Sequence, residues 1–298
     1  MITMHNTSRR VVVTGLGVIS PIGSTVETFW DALIDSRSGV TPMECLPTQP
    51  YPFNFAGSVL DFTGHINDMS VEELSKAAKK VVRKGMRVMN RETQMGVAAA
   101  HQALANAGFK PGEHDPERVG ASFGTGYMVT VPNEMIKAIE TCTDDGGEFD
   151  FNRWGDAGMR EINPLWLLKY LPNMPACHIA IYNDFRGPNN SLTQGEVAAN
   201  VAVGEAFHVI ARGAADMMVA GATGTRLHPL RTIHTVLQEQ IAPANGLQPE
   251  EISRPFDLNR TGMVVGEGAG AIVLEDYDAA HQRGATIHGE IVGVGSSC

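Results

Sequence analysis

An α/β protein built around a mainly parallel sheet is the fold class this sequence predicts, and three observations predict it. Short apolar or β-branched runs alternate with helical stretches of about 10 to 17 residues, the pattern of strand–helix–strand crossovers. Apolar residues make up 43% of the 298, which is enough for a large core and too many for a disordered chain. Several of the runs end on glycine, at Gly15, Gly124 and Gly221, as strands running into turns do.

Taken in order, Arg10-Val11-Val12-Val13-Thr14 is a buried strand stopping at Gly15-Leu16-Gly17. Thr25 to Ser36 is a helix with Ser24 or Thr25 as its N-cap. Residues 41–68, rich in proline, aromatic and turn residues, form an irregular excursion. Ser70 opens a helical region with Glu73 at capping-box spacing, and a basic stretch carries it on to Arg91. Glu92 to Ala107 is a helix with a small-residue face, ended by Gly108. Val119 to Phe123 is a strand, residues 143–157 are an acidic surface loop, and Pro164 to Leu171 is a short helix stopped by Pro172. His178 to Tyr182 alternates weakly, as a strand would. Arg186 to Ala199 reads as strand, tight glycine turn and helix, and the helix runs on to Arg212-Gly213. Asp216 to Gly221, Ala271 to Leu274 and Ile287 to Val294 supply the remaining strands.

The net charge of −10 and a pI near 5.4 argue against nucleic acid as the main partner, since phosphate binding wants a basic field. No apolar run approaches the ~20 residues that span a bilayer. Met1 to Arg10 is polar and lacks the apolar centre of a signal peptide, so a cytoplasmic protein of about two domains is expected. Cys45, Cys142, Cys177 and Cys298 form no CxxC pair, so neither a zinc site nor a redox motif is expected.

The residues also carry a resemblance along nearly the whole chain. Arg9 to Gly17 with Ser20-Pro21-Ile22-Gly23, then Arg186-Gly187-Pro188, Asp216 to Gly221, and above all Ser253-Arg254-Pro255-Phe256-Asp257 followed by Gly262 to Gly270, resemble the β-ketoacyl-acyl-carrier-protein synthases. These are the condensing enzymes of fatty-acid and polyketide synthesis. The resemblance implies a thiolase-like fold: two similar α/β halves, each with a mixed five-stranded sheet, layered α-β-α-β-α. It implies an N-terminal domain over residues 9–276 and the start of the second half over 277–298. It also implies a dimer, either with itself or with an active synthase, and an acyl carrier protein as partner. It further implies that no cofactor is bound, the substrate arriving on the carrier's phosphopantetheine arm.

Two departures from the family pattern follow. The resemblance puts the nucleophilic cysteine where this chain has Glu196. The family's two histidines and lysine lie on motifs beyond Cys298, so either the chain is a fragment or another polypeptide supplies the rest. At a strand–turn–helix junction the exposed N–H groups of the helix favour a thiolate or an anion. A carboxylate there keeps the backbone N–H that the family uses as an oxyanion donor, but it is a poor acyl acceptor. The resemblance therefore implies Glu196 at the base of the acyl pocket, with Gly187, Pro188 and Gly195 shaping the turn. Three readings stay open: a non-condensing, chain-length-factor-like partner subunit, one role of the relatives that carry glutamine at this position; a malonyl-carrier decarboxylase, the other role of those relatives and one against which the charge of Glu196 counts, or an altered acyltransferase; and an inactive fragment or interaction protein. In the plainest reading Glu196 simply caps its helix.

Other candidates are weaker. Cys177 and His178 are adjacent, but on a strand they would point to opposite faces. Ser191 is expected to be a strand hydroxyl bonded to backbone, and His208, His228 and His234 are read as unspecialised. Lys76, Lys79, Lys80, Arg83, Lys84, Arg87 and Arg91 form a basic stretch in an acidic protein. Lys76, Lys80, Arg83 and Arg87 recur on one helical face and are the expected docking surface for an acidic carrier protein, or else a solvated face. The glycine pairs at Gly15-Leu16-Gly17 and Gly266 to Gly270 lack the strand–helix context of a dinucleotide site and are read as turns for close packing.

Overall fold

The structure, a computed structural model, describes residues 9–46, 51–70, 74–243 and 246–297. Its elements run β1 (Val11–Ile19), α1 (Val26–Ile34), β2 (Thr41–Pro42), β3 (Phe55–Ala56), α2 (Lys76–Gly85), α3 (Arg91–Asn106), β4 (Val119–Thr125), α4 (Ile136–Thr141) and α5 (Met174–Asn183). They continue with β5 (Asn189–Leu192), α6 (Ala198–Ala211), β6 (Met217–Thr225), α7 (Pro229–Gln238), α8 (Pro249–Ile252), β7 (Glu267–Asp276), α9 (Tyr277–Gln282) and β8 (Gly289–Ile291).

Six strands form one sheet in the order β5-β4-β6-β7-β1-β8, and β2 pairs with β3 apart from it. The β5, β4 and β6 strands are parallel, whereas β7 runs antiparallel to both β6 and β1, and β8 antiparallel to β1. The sheet is thus mixed, not mainly parallel. Alternation of strands and helices along a sequence predicts crossovers, but it does not say where a late strand will insert. Here β7 enters between β1 and β6 and reverses the direction on both sides. The sheet has one strand more than the five implied by the resemblance, because β8 closes onto β1.

Side-chain alternation along the central strands feeds two cores. Met217, Val219, Ala271 and Val273 join α3 and α5 in one cluster. Met218, Ala220 and Leu274 join Ala206, Val209 and Ile210 of α6 in the other. A third cluster lies between residues 43–56 of the 41–68 excursion and residues 242–265. The result is helix–sheet–helix layering, with α3 on one face and α6 on the other.

Several local expectations change. The first strand does not stop at Gly15-Leu16-Gly17 but continues to Ile19, through a bulge between Val13 and Gly15. The glycines are needed because α3 lies directly on them: a Cβ on Gly17 would stand 2.0 Å from the Ala99 carbonyl oxygen, and one on Gly15 2.1 Å from that of Ala103. Thr25 caps α1 and exchanges hydrogen bonds with Thr28. Ser70, by contrast, takes a left-handed conformation after a short 3₁₀ turn; Ser75 caps α2, and Glu73 lies outside the described residues. The helix expected over Pro164 to Leu171 is a single 3₁₀ turn at Trp166–Lys169.

Residues 178–182 belong to helix α5, not to a strand. Ala176, Ile179 and Asn183 recur at helical spacing on its buried side, and His178 stacks on Tyr182 one turn later. An apolar run this short fits either period, and packing on α3 decides it.

We expect Gly17→Ala to force α3 away from β1, with a loss of about 3 kcal/mol, the upper range for overpacking a core. Urea unfolding checks this; a loss below about 1 kcal/mol would mean that α3 does not press on the strand.

Candidate functional site

The expected strand, glycine turn and helix are present. After β5 the chain turns at Gly195, whose φ of +59° is the left-handed conformation that glycine adopts without strain. A 3₁₀ turn, Gly195–Val197, then leads into α6. Glu196 sits in that turn and borders a cavity of about 830 Å³, walled also by the ends of β4 and β6 and by α7.

The glutamate does not cap its helix, since neither the 3₁₀ turn nor α6 has a side-chain cap. Its carboxylate instead accepts a hydrogen bond from the Arg226 guanidinium, just beyond β6. The Glu196 side chain is 77% exposed, so it stands on the open rim of the cavity, not at an enclosed base. Gly187 and Pro188 do not shape this turn. They precede β5 and face the start of β4: the Gly187 N–H donates to the Val119 carbonyl at 3.0 Å, and the Pro188 carbonyl accepts from the Ala121 N–H at 3.0 Å. The length of β5 separates them from Gly195, which is the glycine that makes the turn.

Two ion pairs with buried carboxylates stand at the cavity wall, and sequence reasoning found neither. Glu92, at the start of α3, accepts from the Thr225 N–H at 3.0 Å and from Arg231 Nη1 at 2.9 Å. Their side chains are 3% and 10% exposed. Burial pushes the Glu92 carboxyl up to about 7, although Arg231 and the Thr225 N–H pull it down. Glu267, the first residue of β7, is held bidentately by Arg91, with Nη2 at 2.7 Å and Nε at 2.9 Å. Arg91 also donates to the carbonyls of Phe62 and Val59, both at 2.7 Å. A charged residue on the otherwise small-residue α3 was the available signal for Glu92. Pro229, one residue into a helix that His228 caps, was the signal that α7 begins there.

The remaining candidates find plain roles. His178 Nδ1 lies 2.9 Å from the Tyr182 hydroxyl, and burial lowers its pKa to about 4. Cys177 Sγ accepts from Asn173 at 3.3 Å, so the two neighbours are engaged separately although they share a helix. The Ser191 hydroxyl donates to the Pro172 carbonyl at 3.0 Å, as expected of a strand hydroxyl. His208 is exposed. His228 is not unspecialised: its Nδ1 accepts from the N–H groups of Leu230 and Arg231 and so caps α7. His234 lies 3.2 Å from the Tyr127 hydroxyl. Among the described residues, no group of His, Cys, Asp or Glu is placed to hold a metal ion, and no helix is long and apolar enough to cross a membrane.

On α2, Lys76, Lys80 and Arg83 lie on one exposed face while Val82 is buried. Arg87 is exposed too, but on the 3₁₀ turn Met86–Val88 after the helix, so the four cations do not share one continuous α-helix. Arg91 leaves the patch for Glu267, and Lys79 is half-buried. The patch and the cavity share no lining residue.

The buried Glu92 predicts a pH dependence. Its carboxyl titrates near 7 in the folded protein against a usual 4.5, so the folded state holds the proton more tightly. Stability therefore falls as pH rises between those values, and above them the loss is on the order of 3 kcal/mol. Glu92→Gln removes this titration. Between pH 5 and pH 8 the wild type should lose stability relative to the variant; parallel curves from thermal melts would contradict the buried charge.

Comparison with known proteins agrees with this architecture. The family model "Beta-ketoacyl synthase, N-terminal domain" matches residues 8–280. The 3-oxoacyl-[acyl-carrier-protein] synthase 2 of Vibrio harveyi is 34% identical over 289 residues, covering 97% of this chain and 63% of the relative. Among solved structures, a type II polyketide synthase acyl-carrier protein in complex with its ketosynthase bound to the hexaketide matches at TM-score 0.72 and 25% identity, covering 96% of this chain and 62% of that one. The ishigamide ketosynthase/chain length factor matches at TM-score 0.72 and 26% identity, covering 96% and 63%. The chain thus spans less than two thirds of the length of these relatives. Its layered α/β architecture is the thiolase-like one that the resemblance implied. By its sequence and its fold, the chain belongs to the β-ketoacyl synthase family and carries that family's N-terminal domain.

Proposed function

We propose that this protein serves fatty-acid or polyketide assembly as a non-condensing partner of an active synthase, with Glu196 in the seat of the nucleophilic cysteine. Residues 9–276 are its first half and 277–298 open the second. The observation that carries the reading is the placement of Glu196: on a strand–glycine turn–helix junction, at the rim of a large cavity, with its carboxylate committed to Arg226. A carboxylate held in an ion pair is a weaker nucleophile still than a free one, and an acyl anhydride formed on it would hydrolyse quickly. The likeness to a ketosynthase/chain length factor supports a partner role.

The Arg226 contact also favours a second reading. The charge of Glu196 counts against a malonyl-carrier decarboxylase only if it is unbalanced, and the guanidinium balances it. Carbon dioxide release distinguishes the two readings.

The carrier protein docks on the exposed cations of α2, in this reading. Lys76, Lys80, Arg83 and Arg87 form no ion pair among the described residues, so their field is available to an acidic partner. The likeness to a ketosynthase solved with its acyl-carrier protein supports the partner class.

Incubation of the purified protein with radiolabelled acyl- and malonyl-carrier protein should leave no covalent label on it. Condensed product should appear only when an active synthase subunit is added. A stable acyl adduct on this chain would overturn the proposal, and carbon dioxide released by the chain alone would replace it with the decarboxylase reading. Separately, the double change Lys80→Glu and Arg83→Glu should weaken carrier binding at low salt by at least about tenfold and flatten its salt dependence. Unchanged binding in a titration at low ionic strength would remove α2 from the docking surface.

A further inference from the structure

Helix α7 lines the cavity through Arg231, Thr235 and Gln238, yet apolar contact anchors it poorly. Its buried residues are Arg231, Thr232 and Thr235, while Leu230 and Leu237 are exposed. Val236 packs on the third core cluster, but only half-buried. A short helix with so little buried apolar area depends on directional contacts to keep its place. The Tyr51 hydroxyl donates to the Pro229 carbonyl at 3.1 Å, and Glu92 accepts from Arg231 Nη1 at 2.9 Å. The Arg231 guanidinium lies over the Tyr127 ring, 4.9 Å from its centroid, and the Tyr127 hydroxyl stands 3.2 Å from His234 Nδ1.

His228 holds the first turn of the helix. Its Nδ1 accepts from the N–H groups of Leu230 at 3.1 Å and Arg231 at 3.4 Å, the second and third residues of α7. Such a cap needs an acceptor, so Nδ1 must carry no proton. Asparagine or serine would accept at any ordinary pH, whereas histidine accepts only while neutral. Protonation turns Nδ1 into a donor aimed at two donors. It also sets a positive charge on the positive end of the helix dipole, beside Arg231. Burial and the Arg231 charge accordingly lower the pKa of the ring, against a smaller upward pull from the Val129 backbone. The other titratable groups around α7 are turned elsewhere: Glu92 to Arg231, His234 to Tyr127, Tyr51 to the Pro229 carbonyl and Arg226 to Glu196. Glu239 is exposed at the far end of the helix.

We propose that α7 is a proton-released wall of the cavity, latched by the neutral ring of His228. As the pH falls, Glu92 is neutralised first, since burial holds its carboxyl up to about 7. Arg231 then keeps a neutral partner, and the cap still fixes the start of the helix. Protonation of His228 removes that cap, and α7 leaves the wall with Arg231. The ring binds its proton more weakly in the seated helix than in the released one. The latch is therefore complete above the ordinary histidine range, about 6.5, and fails as the pH falls below it. The device works whatever the cavity binds, so it stands apart from the partner reading.

Hydrogen exchange of the full chain tests it, read by mass spectrometry at pH 5 and pH 8 and corrected for the intrinsic rate of each amide. In the wild type the amides of residues 230–238 should open at least about fivefold more at pH 5, the scale of a lost N-cap. The Thr225 amide, which shares a Glu92 carboxylate oxygen with Arg231, should follow them. His228→Asn keeps an acceptor that does not titrate and should abolish the difference. His228→Ala should open α7 at both pH values, and Glu92→Gln should retain the wild-type response. Equal protection of α7 at the two pH values in the wild type, or an unaltered response in His228→Asn, would overturn the latch. So would a response lost in Glu92→Gln, which places the titration on Glu92. A Thr225 amide that stays protected while α7 opens would overturn it too, since the helix then frays without leaving the wall.

Discussion

Between β1 and β6 lies a strand that arrives late in the chain, β7, and it hydrogen-bonds to both. Without it the parallel trio β5-β4-β6 would have no connection to β1 and β8 within the sheet. Its alternation serves both cores: Ala271 and Val273 face α3, and Leu274 faces α6. Its first residue, Glu267, is clamped by Arg91 at the start of α3, and Arg91 in turn holds the carbonyls of Val59 and Phe62. One strand thus fixes the sheet order, the seat of α3 and, through Val59 and Phe62, part of the 41–68 excursion, and its open end forms part of the cavity wall.

The ion pairs around that cavity differ in kind. Glu267 with Arg91 and Glu92 with Arg231 have nearly buried carboxylates that also accept backbone N–H groups, so removing one partner strands a charge and is costly. Glu196 with Arg226 stands at the rim, with its carboxylate side mostly solvated, and contributes little to stability. The scaffold is therefore held by strong polar contacts, while the residue at the candidate site is held by a weak one.

Much of the fold was legible because its signals are local. The β-branched run at Val11, the cap at Thr25, the glycine at 195 and the small-residue face of α3 each follow from a few neighbouring residues. The errors share another cause. Residues 178–182 are too short a run to carry a period of their own, and their packing on α3 made them helical. Gly187 and Pro188 stand close to Gly195 in sequence, yet the extended strand between them carries them to the other end of β5. Arg226 and Arg231 lay in a segment with no periodic signal, and only the return of the chain after β6 set them opposite Glu196 and Glu92.

By itself the sequence determined the family, the strand–turn–helix at residue 196 and the carboxylate it presents, because these depend on residue identity and on contacts between near neighbours. The tertiary structure alone decided that β7 lies antiparallel between β1 and β6, that Glu196 pairs with Arg226 on an open rim, and that Glu92 is buried against Arg231. Each of these joins residues at least 30 positions apart, and Glu92 and Arg231 are 139 apart. Such contacts form only when the whole sheet and its two helical layers close together, and no local pattern of residues encodes that closure.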